Sequence, residues 1–495
     1  MSAPSDWGVR RGSLKLGGDG PLLWIGMGVV LVVTSFFAVL VDELNYDVWS
    51  AIVTFFVIIA ITIPILGWVS SVDGDRRTFA ILFAALIVRL LASLARYYIL
   101  AVTYGGVGDA GRYHYGAIAM ANHIKDGYYE IDLGPRLANN PPETRRVGFV
   151  TGLIYLITGP SVYSGYFVFT WFAFLGQLAS IRAFRIAVPE GNHRLYAMLV
   201  MFVPSLIYWP SSIGKEACMV LSIGVASYGV ARIFTRRSIG VGFACAALGL
   251  VGAGLIRPHV ALLLGLGVAS AFVVQSAFPQ ARVGLPRRGR DTAVRLVALT
   301  AVAIFVIGAA SAARDNFGTV GDGASDVSGA FAATIARTEI GGSAFPPTPV
   351  RTPLDLPMAT ISVILRPFPW DARNLQSLVS ATEGPIVLLF YLNRRRLRSI
   401  PSLIVRYPYI AFCLGYMLVF IVAFSNIGNA GILARQRVQV LPMTLTIAAM
   451  PIAARARTKS EKRRTHRDET QRSYADDPRG AEPVLAHRDS SGVVS

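Results

Sequence analysis

The sequence predicts an all-α, polytopic membrane protein with about twelve transmembrane helices, and three observations carry that prediction. Of 495 residues, 53% are hydrophobic and only 15% charged, where a soluble domain normally carries about a quarter charged residues. Apolar runs of roughly twenty residues, each enough to cross a hydrocarbon layer about 30 Å thick as a helix, recur between residues 21 and 453. The runs do not alternate apolar and polar positions, as the strands of a membrane barrel must.

The elements follow in order. Residues 1–20 form a short N-terminal segment, and the first three spans fall within 21–103, near 21–41, 49–71 and 78–103. The first run follows Arg10, Arg11 and Lys15, as a secretion signal would. It is too long for a signal core and lacks a small-residue cleavage site before Asp42, so it reads as a retained span. A long loop covers 104–160, and spans four to nine fall within 161–312, near 161–184, 194–210, 215–234, 238–256, 258–278 and 294–312. A second long loop, 313–374, precedes three more spans within 375–453, near 375–392, 405–425 and 437–453. The tail 454–495 is polar and poor in apolar residues, a composition that predicts disorder. Its basic start (Arg455, Arg457, Lys459, Lys462) suits either anionic lipid headgroups or a topology signal.

Charge bias sets the expected orientation. Gly148–Ile157 is apolar but too short to span comfortably, and reads as an interfacial or re-entrant helix. With the N-terminus inside, the cytoplasmic connections Arg182–Arg194, Arg232–Arg237, Arg282–Arg295 and Arg394–Arg406 carry net charges of +2, +3, +4 and +5. The opposite connections are nearly neutral: 104–146 holds five acids and five bases, 313–373 six acids and five bases. This is the positive-inside pattern, and counting Gly148–Ile157 as a span would invert it. Both termini are therefore expected in the cytoplasm of a cell-membrane protein. The net charge of +18 lies in these connections and the tail, which argues for membrane lipids and against nucleic acid as its partner. The cysteines Cys218, Cys245 and Cys413 are scattered singly in apolar runs and suit packing, not a disulfide or metal framework.

Six polar clusters fall at or near the expected external face. The first is Gly108-Asp-Ala-Gly-Arg-Tyr-His-Tyr115, with Asp109, Arg112, Tyr113 and His114, running into Ala117–Gly127. Apolar residues three and four apart there predict a helix lying in the interface. Asp109 is either a helix cap or a functional carboxylate. Lys215-Glu216 at the start of the sixth span is either a site pair or an interfacial anchor. Arg257-Pro-His259 places a cation, with His259, in a tight turn, which is costly unless it faces headgroups or a polar cavity. Arg366-Pro-Phe-Pro-Trp-Asp371 precedes the tenth span, and Glu383 lies inside that span's apolar run, where an ionisable residue is a functional hypothesis by default. Arg435 and Arg437 close Asn426–Arg437, on a face where arginine is statistically rare and where a planar fork suits phosphate oxygens.

A carboxylate, several arginines and a histidine together suit a phosphate-linked lipid substrate. Asp109 can take the proton from an attacking hydroxyl, or hold a divalent cation that does so indirectly. The cations can stabilise the departing phosphate as its charge grows. No phosphate-binding glycine loop, zinc spacing or Ser/His/Asp order is present, which favours an activated lipid donor over a nucleotide.

The layout resembles the GT-C superfamily of polytopic glycosyltransferases, which use polyprenyl-phosphate-linked sugars outside the cytoplasm. The resemblance rests on Gly108–Tyr115 with Ala117–Gly127, similar to the family's acidic first external loop and its juxtamembrane helix. It also rests on Val147–Gly159, placed like a second juxtamembrane helix, and on Val203-Pro-Ser-Leu-Ile-Tyr-Trp-Pro210. It covers roughly residues 78–234 and departs from the pattern at Asp109-Ala110, where two acids are usual, and at Lys215-Glu216, where a lone acid is common. It implies a GT-C-like fold, an extracytoplasmic active site with Asp109 catalytic, and a polyprenyl-phosphate-linked sugar as donor to a cell-envelope acceptor. The later half also resembles external-face polysaccharide polymerases, which act on lipid-linked glycans with arginines. A polymerase and a lipid-linked glycan transporter are thus the competing expectations, although the chain shows no internal repeat of the kind many transporters carry.

Overall fold

The computed structural model describes residues 46–103, 105–106, 108–128, 131–277, 344–372, 375–391 and 393–452. The runs near 21–41 and 294–312, the connection Arg282–Arg295, most of the 313–374 loop and the tail lie outside the described residues. The described residues up to Met450 belong to one compact unit.

The described residues begin with two long apolar helices, α1 (Tyr46–Asp73) and α2 (Arg76–Tyr98), the latter extended by a π turn, Ile99–Thr103. Three helices follow where the first long loop was expected: α3 (Asp109–Lys125), α4 (Gly134–Ala138) and α5 (Pro142–Thr158). Next come α6 (Val162–Ala187), the broken pair α7 (His193–Phe202) and α8 (Pro204–Tyr208), then α9 (Lys215–Thr235), α10 (Ile239–Ile256) and α11 (Pro258–Ala277). After 344 the described helices are shorter: α12 (Leu356–Thr360), α13 (Leu375–Ala381), α14 (Glu383–Tyr391) and α15 (Arg394–Arg406). The chain then runs through α16 (Pro408–Phe424), α17 (Ala430–Arg437), α18 (Leu441–Thr444) and α19 (Thr446–Ala449). Among the described residues six helices are long and apolar enough to cross a membrane, and the bent pair α15–α16 makes a seventh if taken as one span.

Three expected spans are divided. At 194–210, Pro204 has no N–H to give and its ring clashes with the preceding turn, so α7 ends and α8 starts anew. The carbonyls this orphans are collected by side chains. Arg89 of α2 donates to Met201 O at 2.7 Å, Val200 O at 3.2 Å and Leu206 O at 2.6 Å. Gln177 adds a bond of 2.9 Å to Leu206 O, and Arg96 takes the carbonyls of Tyr208 and Trp209. At 375–392 the chain breaks at Thr382, between α13 and α14. The run 437–453 contains no single helix: α17 ends at Arg437 and two one-turn helices follow. Every residue from Arg437 to Met450 is buried, so that run is apolar because it packs inside the protein.

Close helix approach depends on glycine. Gly224 of α9 meets Gly176 of α6 so tightly that a Cβ added at Gly224 would stand 1.8 Å from Gly176 O, a backbone atom that cannot swing away. Small residues at helix crossings let backbones approach in this manner.

Candidate functional site

Five chain segments meet at helix ends. Gly108 holds the N-cap position of α3, so Asp109 is the first helical residue and caps nothing. Its side chain, 42% exposed, instead receives Arg435 Nη2 at 3.0 Å on Oδ2. The reading of Asp109 as a cap is therefore corrected. α3 and α5 pack closely, with Met120 of α3 seated on Gly152 of α5, where an added Cβ would lie 2.6 Å from Met120 Sδ. This packing brings Glu143, in the first turn of α5, to the same place.

Glu216 lies in the first turn of α9, where the helix dipole favours a negative charge, and is almost wholly buried. Arg257, in the hairpin between α10 and α11, donates to Glu216 Oε1 at 2.7 Å. Arg435 grips the same carboxylate with both edges of its fork, Nε to Oε1 at 2.7 Å and Nη2 to Oε2 at 3.1 Å. Such two-pronged charged contacts are strong and directional. Arg257 also donates to Gln436 Oε1 at 2.7 Å, and Gln439 to the same oxygen at 2.6 Å. Glu216 is thus the buried anchor that positions two guanidinium groups. It also raises the Arg435 pKa further above its ordinary value, so Arg435 is a permanent cation.

In front of this anchor is a cavity of about 380 Å³. Its wall carries four cations, Arg112, Lys215, Arg257 and Arg435, and two carboxylates, Asp109 and Glu143, with Tyr113 and His259 between them. Lys215 Nζ stands 3.7 Å from Glu143 Oε1, an ion pair too long for a hydrogen bond. Arg112 is exposed and makes no ion pair among the described residues. The wall therefore has cationic capacity its own acids leave unused, and Asp109 is the most exposed carboxylate of the group. Among the described residues no group of three or more His, Cys, Asp or Glu is placed to hold a metal ion. Glu143 already faces a lysine, and Asp109 and Glu216 face arginines, so these donors do not fit a divalent cation.

Of the residues singled out in the sequence, Asp109, Arg112, Tyr113, Lys215, Arg257, His259 and Arg435 line the cavity, and Glu216 stands directly behind it. Five others lie elsewhere. His114 bonds the Tyr155 hydroxyl, Nδ1 to Oη 2.6 Å, between α3 and α5, where burial pushes its pKa down to about 4. Arg366 pairs with Asp371 at 3.7 Å and lies over the Phe345 ring. Arg437 is fully buried against Glu383, whose other oxygen accepts the Ser205 N–H at 3.0 Å at the start of α8. That pair satisfies an N–H at the helix break, whose carbonyls Arg89 collects. The sequence reading missed Glu143 and Gln436, and also Arg89 and Arg96. The arginines stand inside an apolar run, and the rule that singled out Glu383 would have found them.

A scan against protein-family models, a search of curated proteins and a search of solved structures return no match to this chain.

Proposed function

We propose that the chain is a membrane glycosyltransferase that moves a sugar from a polyprenyl-phosphate-linked donor to an extracytoplasmic cell-envelope acceptor. The observation that supports it is the cavity wall: a half-exposed carboxylate, Asp109, beside Arg112, Lys215 and Arg435. In the proposed reaction the acceptor hydroxyl attacks the sugar's anomeric carbon and loses its proton to Asp109. The bond from that carbon to the phosphate oxygen breaks, and the phosphate leaves with the electron pair. Lys215 and Arg112 carry the charge that grows on it, while Arg435, fixed by Glu216, orients Asp109. Interactions that strengthen as charge develops are those that accelerate a reaction. The site's place at helix ends suits a lipid-borne substrate entering from the bilayer, in a GT-C-like polytopic fold with both termini cytoplasmic and the cavity outside.

A second reading, a polymerase that joins whole lipid-linked repeat units, is favoured by the convergence of Arg257 and Arg435 from distant parts of the chain. Lipid-linked intermediates in a deletion strain separate the two. Accumulated monosaccharide donor is expected for a transferase, and accumulated oligosaccharide units would replace that reading with polymerisation.

A further inference from the structure

We infer that α15 is a membrane-surface helix whose Arg394, Arg395 and Arg398 hold anionic phospholipid headgroups. This rests on the apolar helices and not on the proposed transfer reaction. Residues three and four apart share a helix face, and α15 divides into three such faces. One lies on the protein: Ser399 and Leu403 are buried, and Arg396 donates to the carbonyls of Ala448 and, at 3.2 Å, Met450 at the end of α19. A second is apolar and partly open, with Leu397 and Pro401 exposed and Ile400 and Ile404 half-buried. The third carries Arg394, Arg395 and Arg398, all exposed and without an ion pair among the described residues.

Arg406, by contrast, is used: it donates to Glu190 Oε1 at 2.6 Å, and the Tyr407 hydroxyl donates to Oε2 at 2.8 Å. The helix is therefore pinned through Arg396 at one end and Arg406 at the other, with its free arginines on a single side. It is bent by 117° against α16, so it does not prolong that apolar helix in line, and its division into faces suits a course along the surface. An open apolar face adjoining an open cationic face matches the interface between acyl chains and phosphates. Long arginine side chains reach from such a helix to the headgroups. A soluble acidic partner would match the arginines and leave the apolar face unexplained.

Hydrogen exchange of residues 394–406 in the full chain, in nanodiscs of phosphatidylcholine alone or with phosphatidylglycerol, tests the assignment. Each surface arginine is worth about a fivefold change in association with anionic lipid. Exchange should slow by at least roughly tenfold when phosphatidylglycerol is present, and added salt should reverse the effect. The triple variant Arg394→Gln/Arg395→Gln/Arg398→Gln keeps Arg396 and Arg406 and should lose the slowing at unchanged Tm. If the triple variant does not fold, Arg398→Gln alone should weaken the effect by about fivefold. Equal exchange in both lipid compositions, or undiminished slowing in the variants, overturns the inference. Protection that appears only with added protein would assign the face to a protein partner and overturn it equally.

Discussion

Replacing Glu216 by Gln tests whether that carboxylate anchors the site. The change keeps the shape of the side chain and removes the charge that three hydrogen bonds share, from Arg257 at 2.7 Å and Arg435 at 2.7 and 3.1 Å. Removing one member of a buried ion pair costs about 3–5 kcal/mol, because the partner's charge is left uncompensated. Arg257, 9% exposed at its side chain, carries most of that cost, and Arg435, at 31%, can partly re-solvate. At roughly 2 cal/mol/K of unfolding entropy per residue, a chain this long loses about 1 °C of Tm per kcal/mol. The Gln variant should therefore melt about 3–5 °C lower in detergent or nanodiscs. Asp109→Asn serves as the reference, since that pair is solvent-reached and worth about 0–1 kcal/mol. Equal melting temperatures for the wild type and the Gln variant would refute the buried-anchor reasoning.

Three further outcomes are expected. Gly224→Ala forces α6 and α9 apart, because the new methyl meets backbone, and should cost about 1–3 kcal/mol or more, read as lower Tm and lower membrane yield. Arg89→Met strands the carbonyls of Val200 and Met201, at about 1–3 kcal/mol for each group left unsatisfied, while Leu206 O keeps its bond from Gln177. Hydrogen exchange should then open α7–α8 before the rest of the bundle. His114 is held below its ordinary pKa by burial, down to about 4, so the unfolded chain takes up its proton first. Its contribution to stability is complete above pH about 6.5 and declines as pH falls toward about 4, where the folded form also protonates. Thermal melts of the wild type and His114→Gln across that range should converge at low pH; parallel curves would remove His114 from the account.

What the sequence made legible was whatever depends on local pattern. The apolar runs at 49–71, 78–103, 161–184, 215–234, 238–256 and 258–278 all correspond to long helices, since continuous hydropathy and backbone self-satisfaction act over one segment. The run 437–453 shows the limit, because hydropathy cannot tell a residue facing lipid from one facing the protein interior. The site was legible in its ingredients: seven of its wall residues come from short polar clusters interrupting apolar runs. Their pairing was not legible, because Asp109, Glu216 and Arg435 are brought together only by tertiary packing across more than three hundred positions. Glu383 and Arg437 carried the same signal as the cavity residues, an ionisable group in an apolar run, and yet they clasp a helix break. Charge in a low-dielectric setting marks a polar need, and a broken helix creates that need as well as a ligand does.

In the proposed reaction the Asp109 carboxylate takes the acceptor's proton in the cavity. Asp109→Asn preserves size, leaves α3 with its own N-cap at Gly108, and removes only the charge. Sugar transfer should be assayed with purified protein in nanodiscs, using polyprenyl-phosphate-linked sugar and an envelope acceptor, alongside the variant's membrane level and Tm. The variant should reach a normal level, with a Tm within about 1 °C of wild type and turnover lowered by roughly 100-fold or more, the scale of losing a positioned general base. Near-normal turnover in the Asn variant would contradict that role of Asp109.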